Sequence, residues 1–370
     1  MKRITTLVMA LVLTAMTVNG QDVLQRGLGA EAKGLDDLAA QYYLAAADTS
    51  ATARLRLGLL EERHEHYATA ASWLAKADSS ATALAHLSCC QAELQRWAEA
   101  KQSAEQAIER ADSNDHTLQA LAMGTLALVA CQDKNLTNAL AWAHRASEQD
   151  PHSARVHNIV GIIHYRKGNE NEAMNSFREA LKKDPTNTDA YFNLGSMYCY
   201  RENYDMAIST LRRGLKENRR SAKLFYVFGW AYLLKGEKEK AIECLESVID
   251  IDSGYVNAYN RLGDIYRGRA EYNRAVEQYR KAVHFAPELP EAYRLLGATY
   301  AEQGDFGRAI RNYQKAAEKD PRDGTTYRHI AELYARQGKA KQEQANYKRA
   351  ARLGDTASQQ WCTKKGIIYQ

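Results

Sequence analysis

Proline is scarce in this chain of 370 residues, which contains 5 of them. Runs of β-branched residues with alternating polarity, the mark of strands, are also missing after the first twenty residues. Ala, Leu, Lys, Arg, Glu and Gln dominate the composition, and these are the better helix formers. The sequence therefore predicts an all-α protein.

Apolar runs long enough to span a membrane are absent after the N-terminal segment. That segment begins Met1-Lys2-Arg3, continues with an uncharged apolar stretch over 4–18, and reaches small or tolerated residues before Gln21. This order is typical of a secretory signal peptide at 1–20, with a retained anchor as the alternative. No cysteine precedes Cys89, so a lipoprotein anchor is not expected. We predict an exported protein, periplasmic or secreted, with no transmembrane segment after processing.

Charge is unevenly distributed along the chain. Residues 21–153 hold 11 basic and 18 acidic residues, whereas 154–370 hold 37 basic and 27 acidic residues. Such asymmetry can steer an oppositely charged partner towards one end of the molecule. An ordinary solvated helix surface is the favoured interpretation.

A pattern with a period of 34 residues decides the fold class. Stretches 188–221, 256–289 and 290–323 each carry an aromatic residue, Leu-Gly, a second aromatic residue and a later alanine in one register. The residues are Tyr191, Leu194, Gly195, Tyr198 and Ala207, then Tyr259, Leu262, Gly263, Tyr266 and Ala275, then Tyr293, Leu296, Gly297, Tyr300 and Ala309. Helical spacing places the large residues on one apolar face, and the small residues permit two helices to cross closely. Each unit is thus a helical hairpin that buries its apolar surface by stacking on a neighbour.

This pattern resembles the tetratricopeptide repeat family, in period and in signature. The resemblance implies an α-solenoid, a right-handed superhelix of helix-turn-helix hairpins. The register extends over seven hairpins at 120–357, and three degenerate hairpins with a shorter period precede them at 21–114. Residues 115–119 are expected to be an insertion. Residues 358–370 are expected to form a capping helix and tail, with Ser358 as the helix cap.

No catalytic constellation is apparent, and no enzyme activity or cofactor is predicted. Gly27 and Gly29 have dinucleotide-like spacing, but no strand precedes them. His157 and His164 lie seven residues apart, so a zinc or pH-sensing cluster is conceivable. They occupy slots that hold Tyr in other repeats, which favours buried structural histidines, so no metal site is predicted.

Six cysteines are present in a chain that we expect to be exported. None of them forms a C-x-x-C motif. A bridge between Cys90 and Cys131 is geometrically possible, and small core residues are the simpler interpretation.

In this repeat family the first helices line the concave face of the superhelix, where ligands usually bind. The register projects a groove that is aromatic in the middle and polar with a cationic bias towards the C-terminus. Its predicted binding residues are Asn158, Tyr165, Arg166, Phe192, Tyr200, Tyr226, Trp230, Asn260, Asp264, Arg267, Arg294 and Arg328. The family's clamp for a C-terminal carboxylate is incomplete, because Ile162 and Val227 replace two of its polar members.

The sequence therefore predicts a scaffold or adaptor of the cell envelope that binds another protein or an extended peptide. The alternative is a non-catalytic subunit that recruits substrate for an envelope enzyme or a secretion complex. Nucleic acid is not an expected partner, because the basic residues are interspersed with acidic ones. A homo-oligomer remains possible.

Overall fold

The structure is a computed structural model that describes residues 20–369. Residues 1–19 of the predicted signal peptide lie outside the described residues. Residues 20–369 form 21 α-helices and no strand. Consecutive helices pair into ten hairpins followed by one closing helix, so the predicted all-α solenoid of helical hairpins is confirmed.

The chain divides into two compact units, 1–221 and 222–370. Unit 1 contains six hairpins. Their helices are α1 (Gly20–Glu31), α2 (Asp36–Ala46), α3 (Ala51–Arg63), α4 (Tyr67–Lys76), α5 (Ala81–Glu93), α6 (Trp97–Arg110), α7 (His116–Gln132), α8 (Leu136–Gln149), α9 (Ala154–Arg166), α10 (Glu170–Lys183), α11 (Thr188–Tyr200) and α12 (Tyr204–Glu217).

Unit 2 contains four hairpins and the closing helix. Its helices are α13 (Ala222–Lys235), α14 (Lys238–Ile251), α15 (Val256–Gly268), α16 (Tyr272–Phe285), α17 (Pro290–Glu302), α18 (Phe306–Lys319), α19 (Gly324–Arg336), α20 (Ala340–Arg352) and α21 (Thr356–Lys364). Within each hairpin the odd-numbered helix is called the first helix and the even-numbered helix the second.

Each hairpin closes where its two helices cross. In most hairpins a glycine on the first helix faces a large residue sixteen positions later on the second, as in Gly27–Tyr43, Gly58–Leu74, Gly161–Phe177, Gly195–Leu211, Gly263–Tyr279 and Gly297–Tyr313. In two hairpins the residue on the second helix is small, and the residue on the first helix is larger than glycine. These pairs are Ser88 with Ala104 and Ala127 with Ala143, and all four residues are buried. The crossing therefore conserves volume rather than residue type. This exchange accounts for the third and fourth hairpins, whereas the first two degenerate hairpins keep the glycine at the crossing.

The hairpin turns require a left-handed residue at one position. Glycine occupies it at Gly168, Gly236, Gly304 and Gly338, with φ between 70° and 88°. Glu65, Gln95, Lys134, Glu202 and Ala270 adopt the same conformation with φ between 58° and 65°. The tight turn between antiparallel helices requires this backbone geometry even where the residue carries a Cβ.

Two local predictions differ from the structure. Residues 116–119 of the expected insertion form the first turn of α7, with Asp115 as its N-cap. The extra residues thus lengthen a helix, because Asp115 supplies the capping carboxylate one turn earlier than expected. At the C-terminus Asp355, not Ser358, caps the closing helix, since its Oδ1 accepts a hydrogen bond from the Ser358 amide at 2.8 Å.

Candidate functional site

The first helices of each unit lie side by side and form what we call its first-helix face. Direct contacts join neighbouring members: Ser88 of α5 donates to Thr125 of α7 at 3.1 Å, and Asn193 of α11 donates to Asn158 of α9 at 2.9 Å. Most of the predicted binding residues lie on these helices. We describe the face separately in each unit.

Arg155 of α9 is an unusual residue of the first-helix face in unit 1. Its Nε and Nη2 are buried, and neither has a hydrogen-bond acceptor among residues 20–369. Burial opposes its charge, yet the pKa of Arg155 is raised, because Cys89, Glu93, Asp189 and Glu62 lie close enough to favour the cation. All four neighbours belong to first helices. The guanidinium therefore remains charged at this face, with hydrogen-bond donors that the protein does not use.

The other groove residues predicted in unit 1 differ in their exposure. Asn158 is only 5% exposed and accepts the hydrogen bond from Asn193, so it joins two helices and is not presented to a partner. Tyr165 and Tyr200 are 45% and 64% exposed, as a contact surface requires. Phe192 is half-buried, and Arg166 donates to Gln132 of α7 at 3.4 Å.

Aromatic residues begin the first-helix face of unit 2. Tyr226 and Trp230 of α13 are half-buried. The ring of Tyr226 packs against Tyr255 with 5.2 Å between centroids. On α15, the Oδ1 atom of Asn260 is buried and has no donor within hydrogen-bonding distance.

A second-helix tyrosine reaches this face beneath a glycine. Tyr279 of α16 passes under Gly263, and its hydroxyl donates to Asp264 of α15 at 2.8 Å. Burial, followed by the charge and hydrogen bonding of Asp264, raises the pKa of Tyr279. Arg267 lies 3.8 Å from the same carboxylate. Asp264 and Arg267 thus sit together, as their spacing on one helix predicts.

The predicted cationic bias is largely compensated by neighbouring carboxylates. Arg294 contacts Glu291 and lies 2.8 Å from Asp323, the N-cap of α19. Arg328 pairs with Glu332 at 2.7 Å and with Asp355, the N-cap of α21, at 3.3 Å. Sequence projection missed the pairs with Asp323 and Asp355, because these two carboxylates cap the helix that begins the next element of the stack.

Two adjoining clefts lie between α17 and α19 on this face. They measure ≈ 380 Å³ and ≈ 220 Å³, and Ala298, Tyr313 and His329 line both. The ring of Tyr313 stacks on His329 with 5.3 Å between centroids, and burial raises the pKa of Tyr313 to about 12. Neither Tyr313 nor His329 was predicted. The signal that could have found Tyr313 is its position sixteen residues after Gly297, where a large side chain passes towards the first-helix face.

Histidines and cysteines do not assemble into a metal site within 20–369. His157 and His164 are half-buried in their packing slots. All six cysteines are buried free thiols. The Cys90–Cys131 bridge considered from the sequence is therefore not formed.

Comparison with protein families gives matches over most of the chain. A model described as tetratricopeptide repeat matches 60–252, more than half of the sequence, and a second described as TPR repeat matches 263–304 and 297–338. A search of curated proteins finds no match. None of the helices described over 20–369 has the length and apolar character that a bilayer crossing demands.

Three solved structures illustrate what this chain is similar to. A structure of MamA is 29% identical, covers 45% of this chain and 97% of its own, and has a TM-score of 0.40. PilF of Pseudomonas aeruginosa is 18% identical over 61% of this chain and 100% of its own, with a TM-score of 0.50. The human IFIT1 dimer with PPP-AAAA is 16% identical over 88% of this chain and 89% of its own, with a TM-score of 0.55.

Likeness at the identities of PilF and IFIT1 shows the fold alone. The family matches go further, since they cover the repeats from α3 to α19. Repeats of this kind generally act as protein-interaction scaffolds and are generally not catalytic. The chain belongs to the tetratricopeptide repeat family.

Proposed function

We propose that this protein is a scaffold of the cell envelope that binds an extended segment of another protein along its first-helix face. The observation that carries the proposal is the half-buried Arg155, whose buried Nε and Nη2 have no hydrogen-bond acceptor among residues 20–369. A buried donor left without a partner costs about 1–3 kcal/mol. A partner that supplies acceptors there recovers that free energy on binding.

An extended peptide fits these requirements because its backbone offers both donors and acceptors. At the first-helix face of unit 1, peptide carbonyl oxygens would accept from Arg155. At the first-helix face of unit 2, taken by itself, a peptide N–H group would donate to Oδ1 of Asn260. Tyr165 and Tyr200 add exposed aromatic surface on the same face of unit 1. Aromatic and Arg side chains are the usual anchors of protein interfaces.

Site-specific photo-crosslinking identifies the partner. A photoreactive phenylalanine analogue replaces Tyr200 on the first-helix face, and the matched control carries it at the exposed Arg212 on the second helix of the same hairpin. We expect a defined crosslinked protein from the first position and none from the second. The identity of that protein distinguishes an adaptor from a substrate-recruiting subunit of an envelope enzyme or secretion complex.

The partner's affinity for Arg155→Lys then tests the site itself. Lysine keeps the positive charge beside Glu93 and Asp189 but loses the two planar donors. We expect binding to weaken at least tenfold (about 1.4 kcal/mol) with little change in the unfolding midpoint. Unchanged affinity would exclude Arg155 as the anchor. A folded Tyr226→Ala, Trp230→Ala double variant that keeps the same affinity would exclude the aromatic part of unit 2.

The envelope location rests on the signal-like segment 1–20. N-terminal mass analysis of the protein recovered from the periplasmic fraction tests it, with Gln21 as the expected first residue. Recovery of the intact Met1 form from the cytoplasmic fraction would contradict the proposal.

A further inference from the structure

Three of the four second helices of unit 2, α16, α18 and α20, carry a concentrated positive charge, whereas α14 holds two lysines and four acidic residues. Helices α16, α18 and α20 hold eleven lysines and arginines and three glutamates. The first helices α15, α17 and α19 hold five arginines and four acidic residues. The basic character of the C-terminal half therefore lies mainly on one side, the second-helix face, which we define as the exposed sides of α16, α18 and α20.

A cleft gathers several of these cations between α16 and α18. It measures ≈ 520 Å³, and the cations Arg280, Lys281 and Arg308 line it together with His284 and one carboxylate, Glu277. Tyr300 of α17 also lines it, accepts a hydrogen bond from Arg280 at 3.1 Å, and has Arg308 above its ring at 5.6 Å. The hydrogen bond and the ring orient both guanidinium groups beside the cleft.

Two exposed apolar side chains lie at the C-terminal end of α16 and in the connection that follows it. Phe285 is 43% exposed and Leu289 is 53% exposed, both in or next to the connection between α16 and α17. Phe285 contacts His284, a cleft residue, with 5.1 Å between ring centroids. Lys319 of α18 bonds to Glu288 at 2.9 Å and so holds the connection beside the next basic helix.

We propose that the second-helix face of unit 2 docks on an anionic phospholipid bilayer. The lysines and arginines would contact headgroup phosphates, and Phe285 and Leu289 would enter the interface between headgroups and acyl chains. A nucleic acid would satisfy the cations equally well. It would gain nothing from Leu289, which has no aromatic face on which a base could stack.

Ion pairs within the face do not prevent this docking. Lys281 pairs with Glu277 at 2.9 Å and Arg308 with Asp305 at 3.3 Å. These side chains are 38–61% exposed, and exposed pairs contribute little free energy. Headgroup phosphates therefore compete with the carboxylates at small cost.

Vesicle co-sedimentation measures the binding. The chain starting at Gln21 is used, because the apolar stretch 4–18 would itself bind lipid and every hairpin described lies within 20–369. Vesicles contain phosphatidylcholine alone or with 30% phosphatidylglycerol, at low and at physiological salt. We expect binding to the anionic vesicles at least tenfold tighter than to the neutral ones, and weaker as salt rises.

Charge-neutralised variants locate the surface. Changing Arg280, Lys281, Arg311 and Lys315 to Gln should weaken binding to anionic vesicles roughly 50-fold or more, since each charge near the bilayer is worth about fivefold. The matched control changes four exposed cations of unit 1, Lys101, Lys182, Arg212 and Lys216, to Gln and should change binding less than threefold. Equal losses in both variants would show non-specific attraction by net charge and would overturn the proposal.

Leu289 distinguishes a bilayer from a nucleic acid. Leu289→Ser removes the apolar group at the N-cap of α17, where serine is favoured, so the helix should keep its stability. We expect this variant to bind anionic vesicles at least fivefold more weakly, and Leu289→Trp to gain fluorescence quenching by brominated lipid relative to the parent. Unchanged vesicle binding by Leu289→Ser would overturn the proposal. Tight binding of single-stranded RNA that the quadruple variant loses and Leu289→Ser keeps would also overturn it.

Discussion

Gly263 provides a stringent test of how each hairpin is closed. A Cβ at this position would lie 2.6 Å from Cζ and 2.7 Å from Cδ1 of Tyr279. Overpacking of this kind costs about 1–3 kcal/mol, whereas alanine in place of glycine gains up to about 1 kcal/mol in a helix. We expect Gly263→Ala to destabilise the hairpin of α15 and α16 by about 1–2 kcal/mol.

Gly268 is the matched control in the same helix. A Cβ there meets no atom within 4 Å, and its backbone is not left-handed. Gly268→Ala should therefore be neutral or stabilising by up to about 0.5 kcal/mol. The two variants make the same chemical change, so the difference between them, about 2 kcal/mol, isolates the contact with Tyr279.

The last hairpin shows when a methyl group is tolerated at this position. There Ala331 and Tyr347 occupy the positions of Gly263 and Tyr279, and the ring of Tyr347 stacks on Trp361 of the closing helix, 4.1 Å between centroids. Tyr279 is held instead by its hydrogen bond to Asp264. The cost at Gly263 thus arises because Tyr279 must give up that bond to move.

A double-mutant cycle separates the two contributions. Tyr279→Phe removes the hydroxyl and frees the ring, so Gly263→Ala should cost about 1 kcal/mol less in that background. Hydrogen exchange by mass spectrometry over 256–285 is the suitable assay, because a solenoid unfolds locally and a single global transition is not assured. A Gly263→Ala variant that exchanges as slowly as Gly268→Ala would refute the reasoning.

Three further predictions concern turns, caps and thiols. Ala270→Gly, at φ 58°, should raise the free energy of unfolding by about 0.5–1 kcal/mol, and Gly304→Ala, at φ 81°, should lower it by a similar amount. Urea unfolding measures both changes, and a less stable Ala270→Gly or a more stable Gly304→Ala would contradict the turn geometry. Asp355→Ala should destabilise α21 by about 1–2 kcal/mol. Burial raises the pKa of Asp355, but hydrogen bonds from Ser358 and Arg328 outweigh it and lower the pKa overall. The charged carboxylate therefore stabilises α21 fully above the unfolded-state pKa of about 4, and this stabilisation is lost as pH falls through the lower native-state pKa. The melting temperature of the variant should fall less on acidification than that of the parent. An equal dependence of the two melting temperatures on pH would exclude this role. All six cysteines are buried, and burial raises the pKa of the Cys199 and Cys244 thiols to about 12. A disulfide reagent at pH 8 should therefore label all six cysteines in denaturant and none in the native protein. Rapid labelling of the native protein would contradict their burial.

Several features of the first-helix face escaped prediction because they depend on neighbouring hairpins. Asn158 was projected as a binding residue, yet Asn193 of the next first helix covers it and takes its hydrogen bond. Arg155, in contrast, was not predicted as a binding residue, because nothing in its own helix indicates that its donors are buried without acceptors. Burial on such a surface is set by residues about 34 positions away, which the helical period of one segment does not reveal.

The sequence by itself determined the repeat, its period and its helical class, because apolar spacing and turn residues are local signals. It also determined the small residues at the helix crossings of the clearest repeats, whereas only the structure showed that Ser88, Ala104, Ala127 and Ala143 are buried at the equivalent positions of two other hairpins. Tertiary structure alone decided which polar groups of the first-helix face are used within the protein. Arg294 pairs with Asp323, which caps the next hairpin, and Arg328 pairs with Asp355, which caps the closing helix, while Arg155 retains unused donors. The physical reason is that stacking brings together charges from separate hairpins, and their pairing is a property of the stack and not of any one repeat.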